Sequence, residues 1–290
     1  MKKYKGELAL LFVSLIWGTG FVSVAFALEQ FHTFQILAAR FILSTLIMGA
    51  IFYKKILALD KTHIKYGAAL GALLISGYAF QTTGLLYTTP GKNAFIVASA
   101  VVMVPFIGTL VYRRKTDKYN VLGAFTAMVG VCVMSFAFDG YVNIGDVLTL
   151  IGTVAFAFHL FFTSEFMSRG PDVAKVVVVQ FATCAVIASA AMLAFGETDF
   201  SRVQTDGVMI ILFIALFNTS LCFFVQTWAQ KTVNETKAII IISMESVFAV
   251  GLSVALGFEG FTARMLLGGA LILAGALVTE IRPWKRVENE

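Results

Sequence analysis

The chain has 290 residues, of which 59% are hydrophobic and only 13% charged, with a net charge of +5 and a mean hydropathy of +0.86. Soluble domains carry about 45–50% apolar and about 25% charged residues, so this composition excludes an ordinary globular domain in water. The basic excess raises nucleic acid as a partner, a reading decided by where the charges fall.

The chain opens with Lys2, Lys3 and Lys5, followed by an apolar run ending in Ala25-Phe26-Ala27. That pattern imitates a secretory signal with its cleavage site. The run is long for a signal, however, and the internal repeat described below needs it as a first helix. Apolar runs then recur to the end. They predict helices at about 7–28, 33–53, 65–87, 92–112, 119–137, 145–166, 173–195, 207–229, 236–257 and 261–281. Each is near the ~20 residues that cross a bilayer. The expected fold is all-α, a polytopic membrane protein of ten transmembrane helices joined by short turns. Cys132, Cys184 and Cys222 lie inside these runs without metal-ligand spacing, as small buried hydrophobes.

With the N-terminus inside, eighteen lysines and arginines fall in inner segments, and only Lys92, Arg202 and Arg264 fall in outer ones. Basic residues accumulate on the cytoplasmic side of membrane proteins. Both termini are therefore expected in the cytoplasm, at the cell membrane. The basic balance then needs no nucleic acid.

The chain also repeats. "FQT" (80–82) returns as "VQT" (225–227), an offset of 145 that also carries Lys92 to Lys237, Gly123 to Gly268 and Gly130 to Gly275. "GELAL" (6–10) resembles "GDVLT" (145–149), an offset of 139. Five spans per copy make the copies point opposite ways, so residues 1–140 and 141–290 are expected to be two inverted five-helix repeats, a signature of secondary transporters.

The ordered set "SLIWGTGFV" (14–22), "FQTTGLLYTTPGKNAFIVASAVVMVPFIG" (80–108), "QTWAQKTVNETKAIIIISMESVFAV" (226–250) and "FTARMLLGGALILAG" (261–275) resembles the EamA family of the drug/metabolite transporter superfamily over nearly the whole chain. The resemblance implies ten helices around a central cavity, alternating access, and movement of amino acids, metabolites or drugs. It also implies a peripheral pair formed by the last helix of each half. The chain departs from the family at Ser246, where proline usually follows glutamate, and at Phe258, where glycine usually precedes Glu259. The first copy has Arg114 opposite Glu259. Losing the helix 9 proline puts the bend of that helix in doubt, whereas Pro105 is expected to kink helix 4.

Ionisable groups inside a span point to function. Arg40, His159 and Glu245 qualify. A rise of 1.5 Å per residue puts Glu245 roughly 12 Å and His159 roughly 10 Å from the inner face, close enough in depth to meet across a cavity. Such a pair suits a proton relay or a sensor of substrate charge, or a neutral hydrogen bond between helices. Arg40 suits a carboxylate or phosphate, or snorkels outward. Tyr78, Gln81, Asn218, Gln226 and Ser243 supply polar atoms that must find partners or water in a membrane. Gln81 and Gln226 are expected near opposite faces, as gates or as glue between helices. Trp17, deep in helix 1, is a cavity wall or core packing, while Trp228 and Trp284 fit the interfacial belt. These nine residues from Trp17 to Glu245 form the expected substrate site. Lys92 and Lys237 are expected as gate residues at opposite mouths, where each can draw in a carboxylate. Gly67 and Gly71 form a G-x-x-x-G packing face.

No phosphate-binding loop, H-E-x-x-H, paired-cysteine motif or nucleophile set stands out in the sequence. A non-enzymatic transporter without catalytic residues, metal or cofactor is expected, with protons, another ion or the solute gradient as the driving force. Its partners are a small solute and the lipid bilayer, in a monomer or weak homodimer. The competing readings are a multidrug exporter and, in a different class, a channel or intramembrane enzyme.

Overall fold

The computed structural model describes residues 4–112, 118–135, 143–233 and 235–280, and among these every regular element is helical. α1 (Lys5–Leu28) turns through Glu29–His32 into α2 (Thr33–Ile51). Gln35 closes that turn, its side chain accepting from the His32 amide at 2.9 Å and so satisfying a donor that a helix start leaves open. The short α3 (Tyr53–Ile56) leads to α4 (Lys61–Leu85), whose first amides are capped by Asp60.

Next come α5 (Pro90–Ala98) and α6 (Ala100–Tyr112), with Thr89 as the cap of α5. The sequence reading starts this helix at about 92, which leaves Pro90 and Gly91 outside it. They instead form the first turn of α5, where a missing proline N–H is no loss. α7 (Lys118–Ser135), α8 (Ile144–Met167) and α9 (Val173–Ala194) follow, the last two capped by Asn143 and Asp172. The expected 207–229 helix is α10 (Thr205–Phe213), a π-helical segment (Ile214–Leu221) and α11 (Cys222–Ala229). The chain continues through α12 (Glu235–Ile242), α13 (Glu245–Ala255) and α14 (Ala263–Glu280). α9 and α13 stop on Gly196 (φ 70°) and Gly257 (φ 77°), whose left-handed backbone lets the next amides reach back to Met192 and Ser253.

Among the described residues, six helical stretches are long and apolar enough to cross a bilayer: α1, α2, α8, α9, Thr205–Ala229 and Lys237–Ala255. Shorter apolar helices cover Pro90–Val104, Val121–Gly130 and Ala263–Gly275. Lys2, Lys3, Arg114 and Trp284, named above from the sequence, lie outside the described residues.

Two breaks fall at related places. The 92–112 stretch is interrupted at Ser99 and the 236–257 stretch at Ser243–Met244, and the 145-residue offset carries Ser99 to Met244. The first break precedes Pro105, so the interruption is not at the proline. In both breaks a serine hydroxyl takes a carbonyl three residues back, Ser99 to Ile96 at 2.6 Å and Ser243 to Ile240 at 2.7 Å. Ser246 adds a second such bond, its hydroxyl to the Ser243 carbonyl at 2.8 Å. Serine hydroxyls that compete for helix carbonyls bend helices. The second stretch is therefore interrupted without the proline that the family usually has at 246.

Packing rests on close backbone approach. A Cβ on Gly71 would sit 2.6 Å from the Gln180 carbonyl, and one on Gly67 would sit 2.8 Å from that of Val176, so α4 lies hard against α9. Gly77 and Gly84 bring the other face of α4 onto α8. Phe41, Leu70, Leu74, Val177, Phe181 and Cys184 fill the space among α2, α4 and α9. α7 and α14 form a reciprocal glycine seam: a Cβ on Gly130 would meet the Gly268 carbonyl at 2.6 Å, and one on Gly275 that of Gly123 at 2.6 Å. Their outer faces expose Leu122, Phe125, Leu266 and Leu267.

Candidate functional site

A cavity of about 100 Å³ lies where α1, α2, α4, α8 and the π segment converge on the two helix breaks. Trp17, Arg40, Tyr78, Gln81, His159, Asn218, Gln226, Ser243 and Glu245 all line it, although they come from distant parts of the chain. Val97, Ala98 and Ala100 bring the first break to the wall, and Ser243 and Glu245 bring the second. A broken helix leaves carbonyls and side chains free to face a solute, which an unbroken one does not.

Arg40 does not snorkel. It is 2% exposed, and its Nε and Nη2 donate to Thr219 Oγ1 at 3.1 and 2.9 Å. Its guanidinium also lies 4.2 Å from the centroid of the Tyr78 ring, a cation–π contact. Thr219 is available because it sits in the π segment, where its hydroxyl donates to the Ile214 carbonyl at 2.9 Å. Single π turns inside helices often mark functional sites. Arg40 has no carboxylate partner among the described residues.

Glu245 is 5% exposed and makes no salt bridge or side-chain hydrogen bond with a described residue. The expected meeting of Glu245 with His159 does not occur. Gln180 holds His159 instead, at 3.4 Å between Oε1 and Nε2, and Phe223 packs against its ring. One cation and one acid thus line the same cavity without pairing to each other.

Trp17 Nε1 donates to the Asn218 backbone carbonyl at 2.8 Å, and Asn218 Nδ2 donates to the Ile16 carbonyl at 2.7 Å. This reciprocal pair ties α1 to the π segment and leaves Asn218 Oδ1 buried without a partner among the described residues. Gln226 Nε2 donates to Gln230, which in turn holds Leu160 and Ser164 of α8, and Gln226 Oε1 is likewise unpartnered. Gln81 and Gln226 both line this cavity. Phe156 and Phe223, which the sequence did not single out, complete an aromatic wall with Trp17 and Tyr78. Trp228 is half-exposed at the end of α11, as a belt residue is.

Lys92 and Lys237 lie outside this lining, and both are ion-paired. Lys92 Nζ meets Asp146 at 2.5 Å, and Lys237 Nζ meets Glu7 at 2.7 Å. One further bond reaches the first of these, and another lies beside it. Thr88 Oγ1 donates to Asp146 at 2.8 Å, and the Gly91 amide donates to Glu259 at 2.9 Å. Thr89, which caps α5, also donates to Glu259. The signal for Asp146 was present in the "GELAL"/"GDVLT" match, which aligns it with Glu7. Thr219 gave no such signal, being one hydroxyl among many in an apolar run.

The model of the EamA-like transporter family matches residues 4–136 and again 143–281. An uncharacterized transporter of Archaeoglobus fulgidus is 32% identical over 282 residues, covering 97% of this chain and 88% of that protein. The uncharacterized transporter YyaM of Bacillus subtilis is 21% identical, with 96% and 94% covered. A solved crystal structure superposes with a TM-score of 0.71 at 15% identity, over 94% of this chain and 96% of the other, and shows the same fold. The chain therefore belongs to the EamA-like transporter family and is a multi-pass membrane transporter.

Proposed function

We propose that the protein is a secondary transporter that exports amino acids or related metabolites across the cytoplasmic membrane by alternating access. The observation that carries this reading is the presence of Arg40 and Glu245 in the lining of one small cavity without a salt bridge between them. A buried charge without a partner is costly, so such groups persist where a ligand supplies the counter-charge. A zwitterion does so at both ends. Its carboxylate meets Arg40, and its ammonium meets Glu245 and the open acceptors Asn218 Oδ1 and Gln226 Oε1.

Two inverted five-helix repeats, 1–140 and 141–290, suit this mechanism. The double match of the family model and the related breaks at Ser99 and Ser243–Met244 support them. In this reading ten spans cross the membrane with both termini cytoplasmic, and a proton is the first candidate for the coupling ion. The aromatic wall of Trp17, Tyr78, Phe156 and Phe223 favours a second reading, export of flat apolar cations, which need Glu245 but not Arg40.

Counterflow of radiolabelled amino acids in proteoliposomes tests the proposal. Saturable exchange is expected, lost in Arg40→Met and stripped of its pH dependence in Glu245→Gln. Exchange of aromatic cations alone, unaltered by Arg40→Met, selects the second reading. Absence of saturable flux for every solute, with the fold intact, removes the transporter mechanism.

A further inference from the structure

The two lysine ion pairs are related to each other. Glu7 and Asp146 stand at the same place in "GELAL" and "GDVLT", and Lys92 and Lys237 are linked by the 145-residue offset. Each pair therefore joins one half of the chain to the other: Lys92 of α5 to Asp146 of α8, and Lys237 of α12 to Glu7 of α1. The pairs also lie at opposite ends of the molecule. Glu7 is in the first turn of α1, whereas the other end of α1 packs Phe26 against Phe258, next to the Glu259 that binds Gly91. The 24 residues of α1 separate these ends by about 36 Å.

The pairs differ in exposure. Side-chain exposure is 20% for Lys92 and 3% for Asp146, against 45% for Lys237 and 21% for Glu7. Buried charges are screened little by water and salt, whereas half-exposed pairs are weakened by both. Thr88 also donates to Asp146, and a second carboxylate, Glu259, sits on the α5 N-terminus beside the pair. An acid there complements the helix dipole, and the 145-residue offset places basic Arg114 opposite it.

We infer that Lys92–Asp146 and Glu7–Lys237 are a matched set of latches, one per cavity mouth, and that transport breaks one while the other holds. The Lys92 mouth is the tighter, so the Glu7 mouth yields first from the conformation described. The lysines act on each other's half of the protein and do not collect solute. Asp146 and Glu7 are positioning residues of the same rank as the lysines. This inference rests on the transporter reading only for what the mouths admit.

Hydrogen–deuterium exchange of the full-length chain in lipid nanodiscs tests it without any solute. Asp146→Asn is expected to raise exchange over residues 86–98 at least about fivefold and to slow it over 235–242, and Glu7→Gln to do the reverse. Lys92→Gln gives the first result from the opposite partner, so the test survives a variant that fails to fold. Lys92→Asp combined with Asp146→Lys is expected to restore the wild-type pattern. Exchange that rises at both mouths in the folded single variants, or at neither, overturns the latches, as does a charge swap that behaves like a single variant. Mouths that switch in a protein without solute flux would keep the latches and remove the transporter; flux with unchanged mouth protection would do the opposite.

Discussion

Arg40 and Thr219, 179 positions apart in the chain, are joined by two hydrogen bonds that both end on the Thr219 hydroxyl oxygen. The π turn under Thr219 aims that oxygen at the guanidinium, and the Tyr78 ring covers the cation's other contact.

Thr219→Val removes the acceptor but keeps the shape. Hydrogen bonds to a charged group contribute about 1.5–3 kcal/mol, so a comparable loss of stability is expected. Thr219→Ser is expected to restore most of it. Thermal unfolding in detergent reads the stability. Counterflow reads the site: a higher KM for carboxylate-bearing solutes in the valine variant and recovery in the serine variant.

Ser246→Pro is expected to leave the fold intact. Residue 246 is in the first turn of α13, and its amide bonds only back to Ser243, at 3.2 Å across an existing break. Proline is tolerated there, whereas inside a helix it costs about 3 kcal/mol or more. Ala249→Pro, deeper in α13 and fully buried, is the contrasting variant and is expected to lose folded protein on size exclusion.

Gly71→Ala is expected to lower the melting temperature, because its Cβ would lie 2.6 Å from the Gln180 carbonyl, which cannot retreat without moving α9. Gly251→Ala meets nothing within 4 Å in the middle of α13 and is expected to hold or raise stability. Alanine exceeds glycine in helix propensity by about 1 kcal/mol. Paired thermal melts check the contrast.

Acid is expected to loosen the caps of α4 and α9. Amide bonds from His63, and then the His63 ring, hold Asp60 below the usual carboxylate range. Burial pushes Asp172 up, but Lys55 at 2.8 Å and the Lys175 and Ala174 amides bring it below that range on balance. A carboxylate with a depressed folded pKa stabilises the fold above its unfolded value and loses that contribution as pH falls through the folded one. The melting temperature is therefore expected to be flat from neutral pH to about 5 and to fall below about 4. Asp172→Ala is expected to cost about 1 kcal/mol at neutral pH and to flatten the acid limb.

The helices were legible because long apolar runs leave little else to form, and six of the described stretches are of bilayer length. The nine cavity residues were legible for a related reason: a polar side chain in an apolar run must go somewhere polar. Their partners were not. His159 was matched by depth to Glu245, but depth fixes only one coordinate, and helix rotation gave the ring to Gln180. Arg40's holder depended on a π turn that hydropathy does not encode. The absence of the usual proline at 246 leaves the bend of this stretch in doubt from sequence, and the break at Ser243–Met244 has no sequence signal of its own. Hydroxyl-to-carbonyl bonds do the same work, and no short motif marks them. In sequence the lysines read as charges that face a solute, because the acids that meet them belong to the other half of the chain.

The glycine seam between α7 and α14 has a consequence for how the molecule is assembled. α7 and α14 meet away from the cavity, so the seam acts beside the contacts of α4 with α8 and α9 as a further clasp between the earlier and later parts of the chain. A gene severed between Ser135 and Asn143 should yield two fragments that find each other in the bilayer and rebuild the whole, and bulky residues at Gly130 and Gly275 should weaken that association.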